Sequence, residues 1–314
     1  IVARQSEIGI DIVNDGEYGH TMSSSVDYGA WWNYSFSRLG GLSPSDEDRW
    51  DPNAGAKRSS PGNIVLSPSG WQTHAISQGK LTRKIDPSLA PVSTALGVLG
   101  MPGMTAYVGL SEIGQPKAGE TVVVSAASGA VGSMVGQIAR IKGARAVGIA
   151  GGPAKCRYVT DELGFDACVD HRASDLADRL KAACPGGIDV YFENVGGPVF
   201  EAVFPLLNDF ARIPVCGQIA TYNATEMPAG PLRVSKLTRD ILTKRLTLRG
   251  FIVTEFASRQ GDFLRDVSAW LREGRIKYRE DVVDGLDKAP RALIGLLRGE
   301  NFGKMLVRVA EPRS

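Results

Sequence analysis

A run of small residues that ends at Gly132 is the part of this chain best suited to bind phosphate groups. Gly129 would let the backbone approach a pyrophosphate without an intervening Cβ, and Gly132 would let the following helix pack closely on the preceding strand. The first amides of that helix, at Ala130 and Val131, would then face the phosphates. Ala127 stands where dinucleotide-binding turns usually carry their first glycine, so the pattern is degenerate.

An apolar strand and an amphipathic helix flank this turn. The β-branched residues 122–124 predict a buried parallel strand. Downstream, Val135, Ile138 and Ile141 recur at helical spacing, and Gly143 supplies a stop signal. This context favours a cofactor site over the alternative, a glycine turn with a purely structural role.

The end of the next predicted strand, at residues 144–150, indicates which dinucleotide would fit. A site that prefers NAD would place a carboxylate here against the ribose 2′-hydroxyl, whereas this chain has Gly151 and Gly152. Lys155 and Arg157 follow, and their positive charge suits a 2′-phosphate. The sequence therefore favours NADPH over NADH; the alternative is that both basic residues are ordinary solvated side chains.

Four further predicted strands alternate with helical segments, at residues 167–170, 188–193, 211–216 and 246–251. Six strands with crossovers predict an α/β fold with a doubly wound parallel sheet. Ligands bind such sheets beyond the carboxyl ends of the strands, where the loops at 194–197, 217–222 and 251–253 fall. These loops would line one crevice, although each glycine pair alone could have only a structural role in its loop.

Composition argues against several other classes of function. The four cysteines and three histidines show neither a Cys-x-x-Cys pair nor a ligand cluster, so we expect no metal site. With 36 basic and 34 acidic side chains, the net charge of +2 gives no case for nucleic-acid or membrane partners. The cysteine usage and the lack of an apolar leader or an apolar run of about 18 residues predict a cytoplasmic location.

Six ordered motifs occur between about Pro61 and the end of the chain: LGMPGMTAY at 99–107, AASGAVG at 126–132, AGG at 150–152 with Lys155, ENVGG at 193–197, CG at 216–217 with YN at 222–223, and NFGK at 301–304. In these motifs the chain resembles the zinc-independent medium-chain dehydrogenases/reductases, especially NADPH-dependent curcumin reductases and prostaglandin and alkenal reductases. That family inserts a Rossmann domain into a β-rich GroES-like catalytic domain. The resemblance thus implies a remnant of the first catalytic segment at 61–100, an NADP-binding Rossmann domain at 101–250 and a return to the catalytic domain at 251–314.

The resemblance also implies roles for individual residues. The turn from Gly129 to Gly132 would hold the pyrophosphate, Lys155 would bind the 2′-phosphate, and His171 would take the place of a tyrosine that contacts the adenosine part. The other cofactor contacts would come from the loops after the later strands and would extend to the nicotinamide. Their residues are Asn194, Cys216, Gly217, Tyr222, Phe251, Ile252, Val253 and Asn301.

The implied reaction is hydride transfer from NADPH to the β-carbon of an enone or enal, followed by protonation of the enolate at the α-carbon, without a metal. Tyr222 is the candidate hydrogen-bond donor to the substrate, since a phenol can donate and accept. The alternative is a packed tyrosine whose hydroxyl binds a loop carbonyl. Members of the family commonly pair as homodimers, so a homodimer is possible here.

The first 60 residues do not fit this family. The segment at 5–17, which ends in Asp15-Gly16-Glu17, makes residues 1–41 resemble a fragment of the cobalamin-independent methionine synthases. Because none of that family's zinc-binding motifs follows, we expect Asp15 and Glu17 to be solvated loop carboxylates rather than catalytic ones. Residues 42–61 have the composition of a linker. Together with the first residue, Ile1, this predicts a fusion to a reductase that lacks part of its first catalytic segment. An enone reductase, a catalytically impaired NADPH-binding protein and a quinone reductase therefore remain open, with a methyl-transfer protein as a weaker idea.

Overall fold

The computed structural model describes residues 38–41, 64–75, 82–222 and 234–310. Contacts divide the chain into two compact units. The smaller unit comprises the described residues up to Met101 together with Val282–Leu296 and those from Met305 onward, and the larger comprises Pro102–Asp281 and Leu297–Lys304. Residues 1–37 of the predicted methionine-synthase-like fragment, and the whole of the predicted linker, lie outside the described residues.

In the smaller unit, the first three strands form an antiparallel sheet. They are β1 (Arg38–Gly41), β2 (Ile64–Ser67) and β3 (Arg83–Lys84), with β2 in the middle. Val65 is the buried residue of β2.

The larger unit is built on a six-stranded parallel sheet in the order β6-β5-β4-β7-β8-β9. Its strands are β4 (Thr121–Ser125), β5 (Arg145–Ala150), β6 (Ala167–Asp170), β7 (Ile188–Phe192), β8 (Leu207–Val215) and β9 (Thr247–Gly250). The chain progresses outward in both directions from the adjacent strands β4 and β7. This confirms the predicted doubly wound sheet, and the carboxyl ends of β4 and β7 form its switch point.

Helices connect the strands. They are α1 (Met101–Val108), α2 (Gly132–Ile141), α3 (Pro153–Arg157), α4 (Leu176–Ala183), α5 (Gly197–Val203), α6 (Val234–Lys244) and α7 (Gln260–Arg272). Helix α2 buries Val135 and Ile138 of the predicted apolar spacing, whereas Ile141 is half-buried, and it buries Met134 as well. A Cβ on Gly136 would collide with the ring of Phe165, so this glycine lets α2 pack closely.

The last elements are β10 (Glu280–Asp284), α8 (Ala289–Leu297) and β11 (Lys304–Arg308), and the two strands pair with each other. None of the helices in the described ranges combines the length and apolarity needed to cross a bilayer.

Two sequence expectations differ from the structure. Strand β8 begins at Leu207 rather than 211, because Leu207 already pairs with Ile188 across a register shift that the sequence does not reveal. The predicted end of the Rossmann domain at residue 250 falls inside the larger unit, which continues to Asp281. Helix α7 accounts for this extension, since its buried Phe263 packs edge-on against Tyr107, with ring centroids 5.8 Å apart.

Lys304 gives the fold a predictable pH dependence. Burial lowers the pKa of this lysine, which is 8% exposed, to about 8. An unfolded lysine titrates near pH ~10.4, so between these values the unfolded state binds more protons and the free energy of unfolding rises with pH. We expect the stability margin between Lys304→Met and the parent to change by about 3 kcal/mol in favour of the parent as pH rises through this window.

Urea unfolding of the parent and Lys304→Met at both ends of the window measures that margin. Lys142→Met, which replaces an exposed lysine in the same way, is the control. A margin for Lys304→Met that is the same at both ends would contradict the assignment.

Candidate nucleotide-binding site

The glycine turn lies directly after β4, at the switch point of the sheet. Its amides at Ser133 and Gly129 bond within the turn, to the carbonyls of Gly129 (3.0 Å) and Ala126 (2.9 Å). A Cβ on Gly132 would collide with the carbonyl oxygen of Ala126, so only glycine allows α2 to start this close to the turn. Among the described residues, the amides of Val131 and Gly132 have no protein acceptor. Such donors at a helix start suit a pyrophosphate.

The segment at 297–304 returns to this turn from a distant part of the sequence. Gly303 forms a parallel bridge with Gly129, and its amide donates to the carbonyl of Ser128 at 2.9 Å. Asn301 is 9% exposed and donates from Nδ2 to the carbonyl of Gly303 at 3.0 Å. The fold thus brings Asn301 next to the glycine turn, although the two are some 170 positions apart in the sequence.

Asn194 lies at the carboxyl end of β7 and bonds to the end of β4. Its backbone amide donates to Ser125 Oγ, and its side-chain Nδ2 donates to the Ser125 carbonyl, both at 2.8 Å. The neighbouring Glu193 is 2% exposed and accepts hydrogen bonds from Ser125, Tyr191 and the amides of Val195 and Gly196. This buried carboxylate fixes the loop that follows β7.

The loop after β8 is attached to the same place. The amides of Cys216 and Gly217 donate to the carbonyl of Glu193 at 2.8 and 3.1 Å. A Cβ on Gly217 would lie 3.0 Å from the hydroxyl oxygen of Tyr222 and 3.4 Å from the carbonyl oxygen of Asn194. Burial, reinforced by the Glu193 carboxylate, raises the pKa of Cys216 to about 12, so its thiol stays neutral at physiological pH.

Tyr222 is the last described residue of that loop. Its hydroxyl oxygen accepts from the backbone amide of Gln218 at 3.3 Å. This hydrogen bond joins the hydroxyl to the backbone of its own loop, and the role of Tyr222 toward a substrate stays a prediction. Asn223, the other residue of the YN motif, lies outside the described residues.

The third predicted loop, at 251–253, follows β9. Phe251 is buried and packs edge-on against Phe192 at the end of β7, with centroids 6.2 Å apart. The amide of Ile252 donates to Glu255 at 2.8 Å, and Val253 begins a short 3-10 helix that runs to Arg259. Phe251 is therefore joined to the switch point by packing, whereas the contacts of Ile252 and Val253 are local.

The predicted 2′-phosphate residues lie around the glycine pair after β5. Lys155 donates to the carbonyl of Gly299 at 2.6 Å, and its ammonium lies 5.4 Å from the centroid of the Phe302 ring. Burial and the charge of Arg172 lower the pKa of Lys155. A Cβ on Gly151 would lie 2.9 Å from Nε2 of His171, whose pKa is likewise lowered by burial and by Arg172.

Two residues of the site were not singled out from the sequence. Glu193 stood in a recognised motif, but nothing in the pattern showed that a carboxylate there would be buried. Arg172 follows His171 directly, and its basic character beside a predicted adenosine contact was the available signal. In the described part of the chain, no three His, Cys, Asp or Glu side chains are arranged to hold a metal ion. The expected absence of a metal stays a prediction.

These features together define an α/β protein with a dinucleotide-binding site. The donor set at the turn, the glycines that leave room for it and the basic residues after β5 and β6 all fit NADPH. Comparison with known proteins gives the same class. Residues 130–271 match the zinc-binding dehydrogenase family.

Similar proteins extend this match over most of the chain. The NADPH-dependent curcumin reductase of Escherichia coli strain K12 is 55% identical over 250 residues, which cover 79% of this chain and 72% of that protein. Prostaglandin reductase 1 of Bos taurus is 45% identical over 255 residues, which cover 79% and 75%. The crystal structure of CurA from Vibrio vulnificus in complex with NADPH has a TM-score of 0.77 and 55% identity, covering 80% of this chain and 75% of that one.

The chain belongs to the medium-chain dehydrogenase/reductase family, in the group that contains the curcumin and prostaglandin reductases. The resemblance inferred from the six motifs is thereby confirmed. The predicted NADP-dependent oxidoreductase acting on carbon–carbon double bonds is confirmed at the level of this family.

Proposed function

We propose that this chain binds NADPH and reduces the activated carbon–carbon double bond of an enone or enal, with the hydride delivered to the β-carbon. The observation that carries the proposal is the glycine turn at the switch point, where Gly132 makes room for the start of α2 and where the amides of Val131 and Gly132 have no acceptor in the described residues. NADPH supplies the hydride when bound, so the protein has to provide position and polarity.

Each loop of the site has a task in this proposal. The turn at Gly129, Ala130, Val131 and Gly132 holds the pyrophosphate. Lys155 and His171 face the 2′-phosphate side of the adenosine. The nicotinamide end is held by Asn194, Cys216, Gly217, Tyr222, Phe251, Ile252, Val253 and Asn301. This assignment is supported by the contacts that join Asn194 to the end of β4, Gly217 to Glu193 directly after β7, and Asn301 to the glycine turn.

The test uses the full chain with NADPH and a panel of enals, enones, curcumin-like compounds and quinones. Oxidation of NADPH is followed by the absorbance of the reduced nicotinamide, and the reduced product is identified by mass spectrometry. We expect saturated ketones or aldehydes and a preference for NADPH over NADH. Binding without turnover of any substrate would contradict the proposed reaction and indicate a catalytically impaired NADPH-binding protein; quinone turnover alone would indicate a quinone reductase.

Tyr222 is the proposed donor to the substrate carbonyl oxygen, where negative charge develops as the hydride arrives. Replacing it with Phe removes one hydroxyl from the loop that contacts Asn194. We expect Tyr222→Phe to lower kcat by about 10-fold, the worth of a typical hydrogen bond, with a much smaller change in the Kd of NADPH. Steady-state kinetics at saturating NADPH and a fluorescence titration measure the two quantities.

Tyr278→Phe is the matched control, because Tyr278 is 37% exposed and is not a proposed site residue. An unchanged kcat in Tyr222→Phe would favour a packing role for this tyrosine. A homodimer and a cytoplasmic location stay predictions from the sequence.

A further inference from the structure

The side chain of Arg172 lies against the glycine pair that follows β5. A Cβ on Gly151 would lie 3.2 Å from Nε of Arg172, and a Cβ on Gly152 would lie 3.7 Å from its Nη1. The guanidinium therefore lies over the backbone where the sequence has glycine instead of a carboxylate. At Gly151 a Cβ would also lie 2.9 Å from Nε2 of His171, so the absence of a side chain there leaves room for both His171 and Arg172.

Asp170 holds the backbone on both sides of this contact. Its Oδ1 accepts from the amide of Gly152 at 2.8 Å and from the amide of Arg172 at 2.9 Å. The loops after β5 and β6 are thus tied together by one carboxylate oxygen. The base of the Arg172 side chain is fixed in place, while its guanidinium extends along the glycines.

The guanidinium of Arg172 has no hydrogen-bond acceptor or ion-pair partner in the described ranges. Lys155, in contrast, already donates to the carbonyl of Gly299. Burial is the main cause that lowers the pKa of both Lys155 and His171, and the like charge of Arg172 beside them adds to the effect. A dianion placed among these three side chains would relieve that repulsion and supply the acceptor that Arg172 lacks.

We propose that Arg172 binds the 2′-phosphate of NADPH and is a determinant of the preference for NADPH over NADH. The inference rests on the proposed function and deepens it. A guanidinium presents two parallel N–H donors to phosphate oxygens, which an ammonium cannot do. The ribose 2′-hydroxyl of NADH offers Arg172 no such partner, so the contribution of this residue is specific to the phosphorylated cofactor.

The test compares Arg172→Met with the parent in fluorescence titrations of the full chain with NADPH and with NADH. We expect the Kd of NADPH to rise by about 10- to 100-fold, the worth of hydrogen bonds to a charged group, and the Kd of NADH to stay the same. Competition by adenosine 2′,5′-bisphosphate should weaken in the same proportion, whereas competition by adenosine 5′-monophosphate should not. Arg172→Lys should retain part of the preference.

Lys181→Met is the control for the loss of one positive charge, because Lys181 is exposed on the following helix, α4. It should leave both Kd values unchanged. The inference about Arg172 would be overturned if Arg172→Met weakened the binding of NADPH and NADH equally, or if it left the Kd of NADPH unchanged. In either case, a parent that prefers NADPH would still support the proposed function. A parent that binds neither cofactor would overturn both.

Discussion

Gly132→Ala is expected to weaken NADPH binding by about 100-fold or more, because two or more charge-assisted hydrogen bonds to the pyrophosphate would be lost. The new Cβ would collide with the carbonyl oxygen of Ala126, which is backbone and cannot rotate away. The start of α2 must therefore move away from the turn, and the amides of Val131 and Gly132 move with it. Fluorescence titration with NADPH measures the loss.

Gly261→Ala is the control for this substitution. Gly261 lies in α7 with no atom within 4 Å of the position its Cβ would take, so the change should leave NADPH binding intact. Far-ultraviolet circular dichroism distinguishes a shifted turn from an unfolded chain. A Gly132→Ala variant that binds NADPH as the parent does would show that the turn does not hold the cofactor.

Glu193→Ala is expected to lower the free energy of unfolding by about 3–5 kcal/mol, since it removes the common acceptor of several buried donors and leaves a cavity. Glu193 Oε1 accepts from Ser125 Oγ at 3.1 Å and from the amides of Val195 and Gly196 at 2.5 and 3.0 Å. Its Oε2 accepts from the hydroxyl of Tyr191 at 2.9 Å. Urea unfolding measures the change.

Tyr191→Phe is the matched control because it deletes one of these donors and leaves the carboxylate in place. It should cost about 1 kcal/mol, the value of a single hydrogen bond. A Glu193→Ala variant that loses no more stability than Tyr191→Phe would mean that the other donors find new acceptors. The role of Glu193 in fixing the loop after β7 would then be untenable.

The parts of the fold that the sequence predicted are those with strong local patterns. The β-branched residues of β4 and the apolar spacing of α2 determine their own structure, and β6 has the predicted bounds, Ala167–Asp170. The beginning of β8 was missed because the pairing of Leu207 with Ile188 depends on the neighbouring strand rather than on the composition of the segment.

The features of the candidate site fall into the same two groups, those that follow from a local pattern and those that depend on tertiary contacts. Small residues at 126–132 and the missing carboxylate after β5 could be found without coordinates, since each is a property of a short segment. The positions of Asn301 beside the glycine turn and of Arg172 over Gly151 could not, because both contacts join segments that are far apart in the chain.

The amino-acid sequence by itself determined the alternation of strands and helices and the glycine turn between β4 and α2, and it predicted a phosphate-binding role for that turn and a phosphorylated cofactor, because local sterics and charge decide these features. Only the tertiary structure decided which carboxylate is buried at the switch point, which cation covers the glycine pair and how far the larger unit extends. Those outcomes depend on the parallel register of the sheet, which brings the carboxyl ends of non-consecutive strands to one edge.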